Sequence, residues 1–108
     1  MLIRYSGDWT RWVHSSNYNG GAKYSKVTGS SAELYFTGTG VDLIYPSFTG
    51  IGVMRVEIDD VFVADISQFN GNTFQNRWSS PALSSGAHTV KFIHQSGQFA
   101  SLDAIEVR

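Results

Sequence analysis

Apolar residues recur along this chain with a period of two, the spacing of a strand that buries one face, and no segment carries a sustained helical period with caps. From Ala32 to Thr37, Leu34 and Phe36 fall on one face, with Glu33 and Tyr35 on the other. Gly38-Thr39-Gly40 breaks that run. Val41, Leu43 and Tyr45 then form the next same-face set, opposite Asp42 and Ile44. Val53 to Ile58 and Val61 to Asp65 read as a hairpin across Asp59-Asp60. Its two-residue loop requires positive φ at both central positions, a conformation Asp reaches more readily than most residues. The two acids are therefore read as turn chemistry rather than as a metal site. Leu2 to Tyr5, Tyr24 to Val27, Thr73 to Ser79, His88 to His94 and Leu102 to Val107 complete the predicted strands, with Phe74, Asn76 and Trp78 sharing a face of the third of these. Asn19-Gly20-Gly21, Thr28-Gly29-Ser30 and Pro81 to Gly86 supply turns, while Pro46 to Gly52 and Gln95 to Gln98 supply loops. Short strands at this spacing predict an all-β sandwich or barrel.

Length and composition narrow the function classes. A chain of 108 residues is one domain's worth, residues 1–108, and its core can form without staples. There are no cysteines, so neither disulfides nor thiolate metal sites are available. The net charge is −1 and the basic residues are scattered singly, unlike the footprint of a nucleic-acid binder. No apolar run approaches the ~20 residues that cross a bilayer, and no signal peptide is visible. Aromatic residues make up 14% of the chain against 16% charged, more rings than so small a core needs.

Four blocks resemble a known family. Phe36-Thr37-Gly38-Thr39-Gly40-Val41, Val56-Glu57-Ile58-Asp59-Asp60, Leu83 to Val90 and Leu102 to Val107 resemble, in order, the strand-turn-strand, hairpin, turn-strand and closing-strand segments of bacterial jelly-roll modules with the galactose-binding-like fold. Tyr5-Ser6-Gly7-Asp8-Trp9 resembles their opening block. Family 6 and family 35 carbohydrate-binding modules share this architecture, with a looser sequence match. The resemblance implies a two-sheet antiparallel jelly roll of about eight strands. Those families place a Glu-x-Glu near the N-terminus that helps hold a structural calcium; Ile3-Arg4-Tyr5 stands here instead. Asp103 matches a further calcium ligand, but without the acidic start a hydrogen-bonded Asp103 is the favoured reading, and no cofactor is expected.

Candidate chemistry points to binding. There is no Gly-x-Ser-x-Gly elbow, no evident nucleophile–base pair, and the acids fall mostly in turns, so no catalytic residues are assigned. His88 lies in a recurring turn-strand block and is read as a hydrogen-bonded structural histidine. Sugar binding needs flat rings for the apolar pyranose face, with amides nearby for its hydroxyls, on rigid loops. Trp9, Trp12, Tyr18 and Asn19 form one such loop, Tyr45 and Phe48 a second, and Gln95, Gln98 and Phe99 a third. The family 6 cleft maps loosely onto Tyr24, Phe74 and Gln98. The candidate carbohydrate contacts are therefore Trp12, Tyr18, Tyr24, Phe48, Phe74 and Gln98. Trp9 and Trp78 are read as core, and Tyr24 fits a core-closing role equally well.

The expectation is a noncatalytic glycan-binding accessory module of a larger secreted or surface protein, with neighbouring domains of that parent as further partners. The alternative is a structural or adhesion module of a surface layer, filament or virion. Apolar residues on both faces of Val53 to Ile58 and of Val61 to Ile66 mark either a covered strand or an interface.

Overall fold

The computed structural model describes residues 3–13, 21–47, 51–68 and 73–108. Eleven strand segments fill these residues and no helix occurs among them: β1 (Ile3–Ser6), β2 (Thr10–Val13), β3 (Gly21–Ser25), β4 (Ser31–Gly38), β5 (Val41–Ser47), β6 (Val53–Ile58), β7 (Val61–Ser67), β8 (Thr73–Ser79), β9 (Gly86–Ser96), β10 (Ala100–Leu102) and β11 (Ala104–Val107). All strand pairings are antiparallel. One layer is a five-stranded sheet in the order β1-β4-β9-β6-β7. The other is split into β10-β3-β2 and β11-β5-β8. The protein is an all-β antiparallel sandwich of the jelly-roll kind.

The period-two pattern builds the core directly. Leu34 and Phe36 of β4, Val90 and Phe92 of β9, and Met54, Val56 and Ile58 of β6 line the inner face of the large sheet. They meet Val41, Leu43, Leu102 and Ile105 of the opposite layer. Trp9, Tyr45 and Trp78 pack against this cluster while half-buried. Trp9 also donates its indole N–H toward Ser6 O and Ser31 O, each at 3.1 Å.

On the outer face, register sets up a row running across the large sheet. Arg4 stands opposite Glu33, Glu33 opposite Lys91, Lys91 opposite Glu57, and Glu57 opposite Phe62. Opposite charges therefore alternate from strand to strand, the favourable arrangement for cross-strand neighbours.

The predicted hairpin forms. Ile58 pairs with Val61, and Asp59 and Asp60 take φ of 52° and 64°. Strand β6 is central in its sheet, between β9 and β7, with Met54, Val56 and Ile58 buried on one face and Val53, Arg55 and Glu57 half-buried on the other. Strand β7 is a sheet edge, where Val61 and Phe62 remain 64% and 49% exposed.

The structure corrects several expectations. Trp12 was expected in a loop, but residues 10–13 pair with β3, Trp12 opposite Ala22. Polar and aromatic residues there masked a strand whose partner is supplied by the following segment. The strand predicted from Tyr24 to Val27 instead begins at Gly21 and stops at Ser25. Strand β5 continues through Pro46 to Ser47, a stretch expected to be loop. The closing strand is interrupted at Asp103, whose N–H leaves the ladder to bond Ile44 O at 2.8 Å. Alternation through β8 is broken by a bulge: Tyr45 pairs with Asn76 and Ser47 with Thr73, leaving Gln75 at φ 53°.

Candidate functional site

One end of the sandwich is organised by buried polar side chains. Gln68 is fully buried after β7. Its Nε2 donates to Ser101 O at 2.7 Å and its Oε1 accepts from Ser101 N at 2.8 Å. The amide thus supplies a donor and an acceptor as a neighbouring strand would. Ser101 Oγ donates to Pro46 O at 3.0 Å, Gly52 N–H to Phe99 O at 2.7 Å, and Gln68 N–H to Gly52 O at 2.9 Å. The end of β5, the residue before β6 and the residue after β7 are thereby tied to β10 and the turn that precedes it. Gly52 makes this possible, because a Cβ there would run into the backbone of Ser96 and Gly97.

A second chain of bonds fixes the neighbouring turns. His94 Nε2 lies 2.9 Å from Gly97 O, and a carbonyl can only accept, so Nε2 carries a proton. In the neutral ring Nδ1 then accepts from Ser25 Oγ at 3.0 Å. Ser25 Oγ in turn accepts from Val27 N–H at 3.2 Å. A serine hydroxyl beside a histidine has the form of a nucleophile–base pair. Here both side chains are fully buried, and the far ring nitrogen faces a carbonyl rather than an orienting acid. The pair links two turns.

On this frame stand the exposed groups. The rings of Tyr24 and Phe99 meet edge to face, 5.9 Å between centroids at 77°. Both are half-buried, and Gln98 beside them is exposed. Lys26 places its ammonium 5.8 Å from the Tyr24 ring. Its backbone N–H is held by Asp8 Oδ2 at 3.0 Å. Apolar ring faces flanked by an amide and an ammonium on pinned backbone can hold a polyhydroxylated ring by stacking and hydrogen bonding.

Of the six residues singled out from sequence, the structure brings Tyr24 and Gln98 to the same end. Tyr18 and Phe48 lie outside the described residues. Trp12 and Phe74 have a described backbone, in β2 and β8, but their side chains lie outside the described set. Thr73, next to Phe74 in β8, pairs with Ser47 at the end of β5. Sequence reasoning missed Ser25, Gln68, His94 and Ser101, which look like ordinary strand and loop residues until the fold closes. It placed Phe99 in the third loop without making it a contact.

At the opposite end, His88 is hydrogen-bonded as expected. Its Nδ1 lies 2.6 Å from Asp59 Oδ2 and its Nε2 2.6 Å from Ser84 O. Thr89 N–H donates to Asp59 Oδ1 at 2.9 Å. The Asp59 carboxyl is held below the usual carboxylate range by His88 and then by the Thr89 N–H. The bond to Ser84 O and then that to Asp59 push the His88 imidazole up. Among the described residues, no three His, Asp or Glu side chains gather as a metal-binding set.

No protein-family model matches the chain. Over 90 residues, 82% of its length, it is 24% identical to an A type blood N-acetyl-α-D-galactosamine deacetylase of Flavonifractor plautii. Over 91 residues, again 82% of the chain, it is 29% identical to an A type blood α-D-galactosamine galactosaminidase of the same organism. The chain spans only 12% and 8% of the lengths of these two relatives. A family two carbohydrate esterase from Clostridium thermocellum, in complex with cellohexaose, superposes with a TM-score of 0.74 at 16% identity, covering 99% of this chain and 31% of that one. An exo-β-1,3-galactanase from Phanerochaete chrysosporium superposes at 0.73 with 18% identity, covering 95% of this chain and 26% of that one. The jelly-roll architecture of this chain thus recurs as a part of larger carbohydrate-acting enzymes.

Proposed function

We propose that this chain is a noncatalytic glycan-binding module of a larger secreted or surface protein. The observation that carries the reading is the Tyr24–Phe99 ring pair beside exposed Gln98 and Lys26, at the end of β3 and the turns next to it, pinned by Gln68, Ser101, Ser25 and His94. The rings supply the apolar faces and Gln98 the hydroxyl partners. Rigid loops spare the ordering cost that would otherwise weaken a small site. The relatives named for galactosamine-bearing and N-acetylgalactosamine-bearing substrates, and the structural neighbour bound to cellohexaose, support a saccharide ligand. With stacking worth about 1 kcal/mol per ring, affinity falls in the millimolar to high micromolar range, roughly −4 to −6 kcal/mol. Tethering to a parent chain compensates.

The test is a glycan array that includes galactosamine, N-acetylgalactosamine and cello-oligosaccharides, run on the wild-type chain and on Gln98→Ala. Reproducible binding that the variant weakens supports the reading. A cooperatively melting sample that binds no glycan overturns it. One observation favours a second reading: exposed Val61 and Phe62 on the edge strand β7 suit a protein contact. Chemical cross-linking to the parent protein's other domains that is lost in Val61→Lys would support that role.

A further inference from the structure

The end of the sandwich away from Tyr24 and Phe99 carries a groove of about 350 Å³ lined by Tyr35, Phe36, Thr37, Asp59, Ala87, His88 and Thr89. Its floor is the paired backbone of β4 and β9, where Tyr35 stands opposite Thr89 and Thr37 opposite Ala87. Its wall is the β6–β7 turn, locked in place because Asp59 N–H donates to Thr89 O at 2.8 Å while Thr89 N–H donates to Asp59 Oδ1. Tyr35 is 61% exposed, so its ring is open to a ligand. The Arg4 guanidinium lies 5.7 Å from its centroid. The Asp59 side chain is 50% exposed even with both oxygens hydrogen-bonded.

We infer that this groove is a second saccharide-binding site, distinct from the loop end. An exposed ring and a fixed carboxylate, with Thr37 and Thr89 beside them, line a volume at the lower end of ligand pockets, about 300–1,000 Å³. That combination suits a short, hydroxyl-rich glycan: Tyr35 takes the apolar face of a pyranose, and Asp59 accepts from its hydroxyls. A pre-formed acceptor is essential here, since a carboxylate free to rotate would lose its ordering entropy on each binding event. His88 keeps Asp59 ionised and aimed. The chain would then engage two points of a polymer, or two chains, at once.

The inference rests on the glycan-binding reading, and its test separates the two. Backbone amide shifts of the isotopically labelled 108-residue chain are followed by NMR during titration with cellohexaose and, separately, with D-galactosamine. The expected result is a set of shifts at Tyr35, Thr37, Ala87 and Thr89. Tyr35→Ala should weaken these by roughly tenfold, leaving shifts at Gln98 and Phe99 unchanged. Because Tyr35 is on the surface its removal should not unfold the sandwich, and Thr37→Val serves as a second, nearly isosteric probe. Shifts confined to the loop end, or groove shifts indifferent to both substitutions, overturn the second site while leaving the glycan reading intact. No shifts anywhere with either sugar overturns both.

Discussion

His88 and Asp59 face each other at 2.6 Å, and the other ring nitrogen of His88 faces a carbonyl, so both nitrogens of one imidazole look at acceptors. Only the doubly protonated ring can donate to both. The pair joins the β6–β7 turn to β9, and its strength depends on two protonation states at once.

Stability should therefore peak in a pH window. His88 is raised, so its contribution is full below its unfolded value of about 6.5 and fades as pH climbs through the folded value. Asp59 is lowered, so its contribution is present above about 3.9 and fades as pH falls through the folded value. The window lies at roughly pH 4 to 6.5. Melting temperatures from pH 3 to 9 should show wild type losing stability on the alkaline side. His88→Gln should flatten that limb, and an unchanged slope would exclude the pair as its source.

The two acids of the hairpin should respond oppositely to glycine. Asp60 occupies a left-handed conformation, and among the described residues its side chain makes no hydrogen bond, so Asp60→Gly should be neutral or stabilise by about 0.5–1 kcal/mol. Asp59→Gly removes the acceptor of both His88 and Thr89 and should lower the melting temperature. Thermal unfolding of both variants checks the contrast.

Gln68→Leu should be among the costliest single changes at the loop end. It leaves the buried N–H and C=O of Ser101 without their partner, at about 2–4 kcal/mol for the two groups. Urea unfolding measures the loss. A variant of wild-type stability would mean that solvent reaches Ser101.

Phe99→Ala should weaken glycan binding roughly five- to tenfold, the loss of one stacked ring. The β9–β10 turn should persist, because Phe99 O, which accepts from Gly52 N–H, and Gly97 O, which accepts from His94 Nε2, are main-chain carbonyls that the substitution keeps. Affinity and thermal melting, measured together, separate a lost contact from a lost turn.

The layered architecture was readable because a buried face leaves its period in the chain. Leu34 and Phe36, Val41 and Leu43, and the Asp59-Asp60 turn all landed as patterned. The strand at 10–13 was not readable: its ladder partner, Gly21–Ser25, is itself weakly patterned, and the pairing declares itself only in three dimensions. The site was half legible. Aromatic and amide residues at Tyr24 and Gln98 announced themselves through composition, while the side chains that fix their loops did not. Gln68 acts through Ser101, 33 residues away, and Ser25 through His94, 69 away, and no local rule connects such positions. Tyr35 was assigned to the correct face, but the groove is a property of two strands and one turn together, not of one strand.

The alternating row Arg4, Glu33, Lys91, Glu57 bears on how a partner arrives. Charges of opposite sign in adjacent strands cancel within a few ångströms, so the broad face casts little field beyond a Debye length of about 8 Å at physiological salt. A ligand captured there would arrive by unguided diffusion, at rates nearly indifferent to ionic strength. The module would meet neutral polymers in fresh water and in brine on equal terms.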